Sequence, residues 1–300
     1  MPSLTPASAL SKAPRPVVGE AIKRPPPRLP VLLSPTTVGL GLTLSMVALA
    51  VFAGVIAPGD PLRSIGVPLQ APSPQHLFGT DDLGRDMLAQ VVHGSRASLL
   101  VGLTTAALAA VIGSLVGATA GYFGRRVDDV LMRITELFQV VPRFFLAILV
   151  AALFGANLRT IILLLGLTFW PGPARLLRSQ VLALRERDFV LAARAVGAPT
   201  HVILWRHILP NALPPVIVSA ALQVGGAILT EASLSFLGLG ERSIVSWGYL
   251  LNNAQAFLRV AWWMSAFPGL ALMLTVLGVN LLSDGLNDGW NPYLKRGRRT

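Results

Sequence analysis

The residue types that do chemistry are few in this chain and poorly spaced for it. The four histidines, His76, His93, His201 and His207, show no metal-ligand spacing, and neither an HExxH pair nor a carboxylate cluster accompanies them. Cysteine is absent, which excludes disulfides and thiolate chemistry. The lysines, Lys12, Lys23 and Lys295, each follow a residue other than glycine, so no Gly-Lys pair exists from which a phosphate-cradling loop could be built. Serines and threonines are scattered through apolar stretches, where hydroxyls bond along helices rather than to a general base. No catalytic residue, metal site or bound cofactor is therefore expected. What stands out instead is a set of polar side chains in apolar surroundings, Gln223, Glu231, Asn280 and Asp284, and one polar basic segment at 185–211, RERDFVLAARAVGAPTHVILWRHILPN.

These residues must be positioned by elements suited to lipid. A chain of 300 residues with 53% hydrophobic and 13% charged content and a mean hydropathy of +0.63 is too apolar for a soluble domain of this size. Six segments supply the roughly 20 apolar residues a span requires, at 38–57, 97–122, 136–154, 161–177, 213–237 and 262–282. Each must be helical, because lipid offers backbone amides no partner and the segments lack the alternation of barrel strands. The expected fold is an all-α integral membrane protein. Residues 1–34 form a Pro-rich basic tail, 35–96 the first span with an outer segment, 97–294 the remaining spans, and 295–300 a basic tail. The first tail is too long for the n-region of a secretory signal and the run at 38–57 is long enough to span, so no cleavage is expected.

A net charge of +11 raises nucleic acid as a partner, and the placement of the charges decides against it. With the amino terminus inside, eighteen of the 25 Lys and Arg residues fall in cytoplasmic segments and six outside, with Arg143 left in a span. That asymmetry is a positive-inside signature, with cytoplasmic amino and carboxyl termini, and it accounts for the charge as topology and contact with the lipid bilayer.

Within the spans, Gly113, Gly117 and Gly121 recur every fourth residue and put a small-residue seam on one helix face. Pro142, Pro171, Pro173 and Pro268 interrupt spans and predict kinks. Glu136 and Arg143, seven apart, share a face of the third span. Glu231 in the fifth span reads either as part of a solute pathway or as a group hydrogen-bonded to a neighbouring helix; Gln223, Asn280 and Asp284 invite the same two readings. Thr80-Asp81-Asp82 suits the cap of an amphipathic helix.

The segment 185–211 predicts a helix over 182–196, a break at Gly197, Ala198 and Pro199, and a second helix over 199–208, about 15 Å long and stopped by Pro210. On it Val202, Trp205 and Leu209 share one side, with Arg206 and His207 beside them. The spacing fits an interfacial helix and a docking helix equally well.

The same segment resembles the EAA loop of ABC-importer permeases, whose pattern is EAA, three residues, Gly, nine residues, Ile, one residue, Leu-Pro. Ala192, Ala193, Gly197, Leu209 and Pro210 fill that pattern, whereas Leu191 replaces its Glu and His207 its Ile. Six further stretches resemble the C-type permease of the dipeptide and oligopeptide branch: HLFGTDDLGRD at 76–86, GSRASLL at 94–100, GYFG at 121–124, EASLSFLGLG at 231–240, SWG at 246–248 and FPG at 267–269. The resemblance implies a type I ABC importer permease fold of six helices in a bacterial inner membrane. Its expected partners are a B-type permease, two ATP-binding subunits that hold ATP and Mg, and an extracytoplasmic solute-binding protein. It assigns the segment containing Ala198, Val202, Trp205, Arg206 and His207 to ATPase coupling. Glu186 and Asp188 lie near the missing Glu and are its candidate replacements. Just before the second span, Asp81, Asp82, Asp86 and Arg85 read equally well as part of a seat for the binding protein or as the cap of a solvent-facing amphipathic helix. The branch carries mostly short peptides, while some members carry nickel complexes, glutathione or opines. An ion-driven secondary transporter would instead use intramembrane carboxylates such as Glu231 and Asp284, leaving the EAA-like loop unexplained.

Overall fold

A computed structural model describes residues 34–155 and 157–290; the expected tails at 1–34 and 295–300 lie outside the described residues apart from Ser34. The described chain is helical: α1 (Pro35–Val51), α2 (Ala53–Ile56), α3 (Met87–Phe123), α4 (Arg125–Val140), α5 (Arg143–Phe154), α6 (Leu158–Phe169), α7 (Pro171–Leu184), α8 (Asp188–Ala195), α9 (Thr200–Val202), a π-helical turn (Ile203–Ile208), α10 (Leu209–Phe236), α11 (Trp247–Ala254) and α12 (Trp263–Trp290). Among the described residues four helices are long and apolar enough to cross a membrane, counting α6–α7 and α9–α10 as continuous units, and a fifth arises if α4 and α5 form one bent span. α1, with 17 residues, is a shorter apolar helix.

Three expected boundaries require correction. The span at 136–154 is not one helix, because the chain breaks at Val141–Pro142 and α5 leaves α4 at 77°. Proline removes the amide needed to carry the helix on and biases the residue before it away from helical geometry. Glu136 and Arg143 consequently do not share a face: Glu136 lies 3.9 Å from Arg175, and the Arg143 guanidinium sits over Phe169. The second span starts ten residues before 97, since Asp86, rather than Thr80 or Asp81, caps α3 by accepting from the Ala89 amide. At about 55 Å, α3 outreaches the hydrocarbon layer, and its polar first turns are paired with protein. Arg96 Nε donates to the Ala50 carbonyl at 2.8 Å and His93 Nε2 to that of Ala57 at 2.9 Å, serving carbonyls freed where α1 and α2 end. The helix expected over 182–196 is interrupted at 185–187, between α7 and α8.

The glycine seam forms as expected. A Cβ at Gly113 would come within 2.6 Å of Pro173 Cβ, one at Gly121 within 2.8 Å of Val181 Cβ, and one at Gly117 would overlap the Ala174 carbonyl, so α3 lies directly on α7. α1 and α12 make a second close, antiparallel pair, with Gly39 against Leu281 and Leu282, Gly278 against Thr43 and Gly285 against Thr36. Ser34 and the carboxyl end of α12 thereby share the end of the bundle that carries 185–211.

The opposite end is closed by a compact polar knot built from the separated sequence fragments. The buried Asp81 accepts from the Leu83 and Arg85 amides at 2.9 and 2.8 Å and from Gln90 Nε2 at 3.0 Å. Trp263 Nε1 donates to Thr80 O, and Phe78 stacks on Phe267 with centroids 3.9 Å apart. Trp247, fully buried, donates through Nε1 to Val91 O and through its amide to Ser98 Oγ. The stretches at 76–86, 94–100, 231–240, 246–248 and 267–269 thus meet in one place, where backbone and indole groups satisfy one another away from water.

A branched side chain on the seam would force α3 from α7. Gly117→Val is expected to lower the melting temperature of the purified protein by an amount corresponding to about 1–3 kcal/mol, whereas Gly172→Ala, where a methyl meets nothing within 4 Å, is expected to cause no loss; thermal unfolding in detergent checks both.

Candidate functional site

The segment 185–211 is held to the bundle by polar anchors and an apolar face. Arg178 pairs in bidentate fashion with Asp128 of α4, one arm at 2.6 Å, and Arg185 Nη1 donates to the Gly121 carbonyl at 3.0 Å. Arg194 lies over the Tyr122 ring. The GYFG stretch is therefore the floor on which the segment rests.

α8 ends in a Schellman turn. The Ala198 amide donates to Ala193 O and the Gly197 amide to Arg194 O, both at 3.0 Å, and Gly197 adopts φ +80°. Nothing lies within 4 Å of where its Cβ would stand, so the backbone angle and not crowding demands glycine. The fixed place of a glycine after the two alanines follows from this turn.

Beyond it the structure departs from expectation. The second helix does not end at Pro210: α9, the π turn and α10 run on as one unit from Thr200 to Phe236. A proline in an α-helix strands the carbonyl four residues earlier, and the chain adapts by widening the turn ahead of it. The Leu209 amide reaches back five residues to Leu204 O, and Asn211 Nδ2 donates to His207 O at 2.7 Å. The wider turn also resets the faces. Val202, Trp205 and Leu209 do not share a side, since Leu209 is buried, Val202 half-buried and Trp205 63% exposed. Ile203 and Ile208, five apart, are the buried pair instead, packed with Val190, Leu177, Val181 and Ala212. Burying each isoleucine contributes about 1.5–3 kcal/mol, so α8 and the π turn are welded to α7 and α10. Sequence reasoning missed Val190, Ile203 and Ile208 because their spacing fits no α-helical stripe.

The opposite surface of the segment is open. Phe189, Leu191, Ala192, Val196 and Trp205 are exposed, Val196 at 84%, among Arg187, Asp188, Arg194 and Arg206. Together they form an exposed apolar patch rimmed by charge, a composition that marks contact surfaces in general. Ala193, Ala198 and His207 are half-buried and Pro210 is exposed. Trp205 and Leu209 also line an apolar groove between α3 and α10.

The remaining candidates lie apart from this surface. Glu231 is 2% exposed near the end of α10, where its Oε1 accepts from Ser235 Oγ at 2.7 Å and from Ser246 Oγ, the cap of α11, at 3.0 Å. Asn280 of α12 is exposed and faces Gly225, close in sequence to the half-buried Gln223. Glu231 is tied by hydrogen bonds to Ser235 and Ser246, and to neither Gln223 nor Asn280. Asp81 is buried inside the knot and serves the fold, while Asp82 is half-buried and burial, then the Asp81 charge, pushes its carboxyl up from the usual range.

Residues 109–296, which include the whole segment, match the sequence pattern of the family described as the inner membrane component of binding-protein-dependent transport systems. The chain belongs to this family. As a binding-protein-dependent transport component it is a multi-pass protein of a bacterial inner membrane. It is 40% identical to a dipeptide transport system permease protein of Alkalihalophilus pseudofirmus, over 86% of each chain. It is 39% identical to one of Bacillus subtilis, over 86% of this chain and 82% of that one, and 37% identical to a di/tripeptide permease of Pseudomonas aeruginosa, over 86% and 88%. In fold it is similar to an inward-facing structure of the methionine ABC transporter MetNI, with a TM-score of 0.55 at 20% identity, covering 68% of this chain and 97% of that one.

Gly197→Ala forces a methyl-bearing residue into left-handed geometry at a cost of about 1–2 kcal/mol. Hydrogen exchange at the Ala198 amide is expected to accelerate by roughly tenfold while that of α3 is unchanged; equal protection at Ala198 in both proteins would remove the Schellman turn from the account.

Proposed function

We propose that this chain is one of two permease subunits of an ATP-driven importer of dipeptides and oligopeptides. It has six transmembrane helices, both termini in the cytoplasm, and residues 185–211 on the cytoplasmic side. A second, B-type permease pairs with it. Two ATP-binding subunits, which hold ATP and Mg, dock on the exposed face of α8 and the π turn, and an extracytoplasmic binding protein delivers the solute to the other end.

The observation that carries this reading is the construction of the segment: welded to the bundle through Val190, Ile203 and Ile208, and open on the face of Phe189, Leu191 and Val196. A surface that binds a moving partner and is rigid with the spans can pass displacement into them, biasing two arrangements of the helices. The positive-inside count favours the stated orientation. The names of the dipeptide-transporting relatives favour a peptide as the solute. With no Gly-Lys pair in the sequence, hydrolysis falls to the other subunits.

Proteoliposomes holding both permeases and the ATPases test this directly. ATP and the loaded binding protein should together drive dipeptide uptake, and this chain reconstituted alone should drive none. Val196→Asp, which places a charge on the exposed apolar face, is expected to cut binding-protein-stimulated hydrolysis by roughly tenfold or more. Charge reversal at Glu186 or Asp188 should weaken coupling less. Vectorial uptake by the chain alone, or full coupling in Val196→Asp, would contradict the proposal.

A further inference from the structure

Beyond the end of α10 a cavity of about 330 Å³ opens between that helix and α11, lined among others by Ser235, Glu241, Arg242, Tyr249, Asn252 and Asn253. Its volume lies at the small end of ligand sites, which run from roughly 300 to 1,000 Å³. Its charges are arranged in sequence order and in opposite sense. Glu241 is fixed, with Oε1 accepting from the Ser243 hydroxyl at 2.7 Å and its amide at 3.1 Å. Those bonds, the hydroxyl's foremost, hold its carboxyl below the usual range, so it stays ionised. Arg242, its neighbour, is exposed and makes no ion pair among the described residues.

The cavity wall adds directional polarity. α10 ends in its own Schellman turn at Gly238, φ +82°, with the Leu239 amide on Leu234 O and the Gly238 amide on Ser235 O. Its last turn therefore brings the negative end of the helix dipole to the cavity, which favours a cation there. Asn252 and Gln255 are spent on the Phe236 carbonyl, while Asn253 also lines the cavity. Behind the wall, Ser235 donates to the buried Glu231, whose second oxygen has no partner among the described residues.

We propose that this cavity receives the zwitterionic backbone of a small peptide, with Glu241 and the α10 carboxyl end meeting its ammonium and Arg242 its carboxylate. The inference rests on the importer reading above and deepens it, assigning to this chain a contact with the solute that is distinct from docking of the binding protein. It is a site for a dipeptide or for the end of a longer peptide, since one anionic and one cationic side chain line it together.

Binding of dialanine to the assembled permease–ATPase complex in lipid nanodiscs, without the binding protein, tests it by saturation-transfer NMR. Dialanine should give transfer that N-acetyl-dialanine-amide does not compete for. Arg242→Gln should weaken binding by roughly tenfold or more, the loss of one charge-assisted pair, and Arg242→Lys should restore part of it. Arg242 supports no other side chain, so its variants fold. Dialanine uptake by the same preparation with binding protein and ATP separates the two readings. Uptake without any effect of Arg242→Gln on dialanine binding overturns the cavity assignment alone, and so does an effect confined to affinity for the binding protein. Absence of uptake in the unmodified complex, with dialanine still bound through Arg242, overturns the importer reading and leaves the cavity assignment standing.

Discussion

The approach of α3 to α7 along Gly113, Gly117 and Gly121 sets backbone against backbone with no side chain between, and the geometry of the 185–211 segment depends on it. Because the two helices touch at that distance, the Gly121 carbonyl is within reach of Arg185 and Arg194 can lie over Tyr122. Arg178, one turn before Val181 on the same helix, reaches Asp128 of α4. Three cationic side chains that would otherwise extend into water are thereby tied to the floor beneath α8. Wider spacing of the helices would break each of these contacts, and the apolar cluster around Val190, Ile203 and Ile208 would open to solvent.

The two ends of the bundle solve the same problem with polar side chains and left-handed glycines, and only one of them adds a widened turn. Backbone groups freed where helices stop must find partners, since lipid provides none. At the end with the polar knot Trp263 meets the Thr80 carbonyl, Asp81 meets amides, Arg96 and His93 meet the carbonyls left by α1 and α2, and a left-handed glycine, Gly238, closes α10. At the other end Arg185 meets the Gly121 carbonyl and Asn211 that of His207, with a left-handed glycine closing α8 and a widened turn leading into α10. The widened turn makes a short, open surface continuous with a long helix.

Much of this was legible in the residues. Gly197 could be placed as a break because left-handed backbone selects glycine, and the period of four in the α3 glycines could only describe a close helix contact. The segments meeting in the knot were recognisable as a set but not as neighbours, since nothing local in SWG or FPG indicates that one indole reaches Val91 and that Phe267 stacks on Phe78. The π turn was opaque for a plainer reason: no side-chain period announces a five-residue reach, so Pro210 read as a stop and Val202, Trp205 and Leu209 as a face. Pro142 announced a kink, but its angle depends on α4, whose Arg125, Arg126, Asp129 and Arg133 give it a polar side that a straight span would carry into lipid.

The central claim is that 185–211 moves as one body with the helices it rests on. Electron–electron distance measurement tests it, and a chain without cysteine accepts labels at Val196→Cys and Phe123→Cys alone. In the complete transporter, cycled between nucleotide-free and ATP-trapped states, the account predicts that the distance between these two labels changes by less than about 2 Å, the scale of small helix shifts. The Val196 label should meanwhile shift by more than that against the partner permease. A change within this chain as large as the change between chains would show the segment swinging free of its bundle, and would contradict the account.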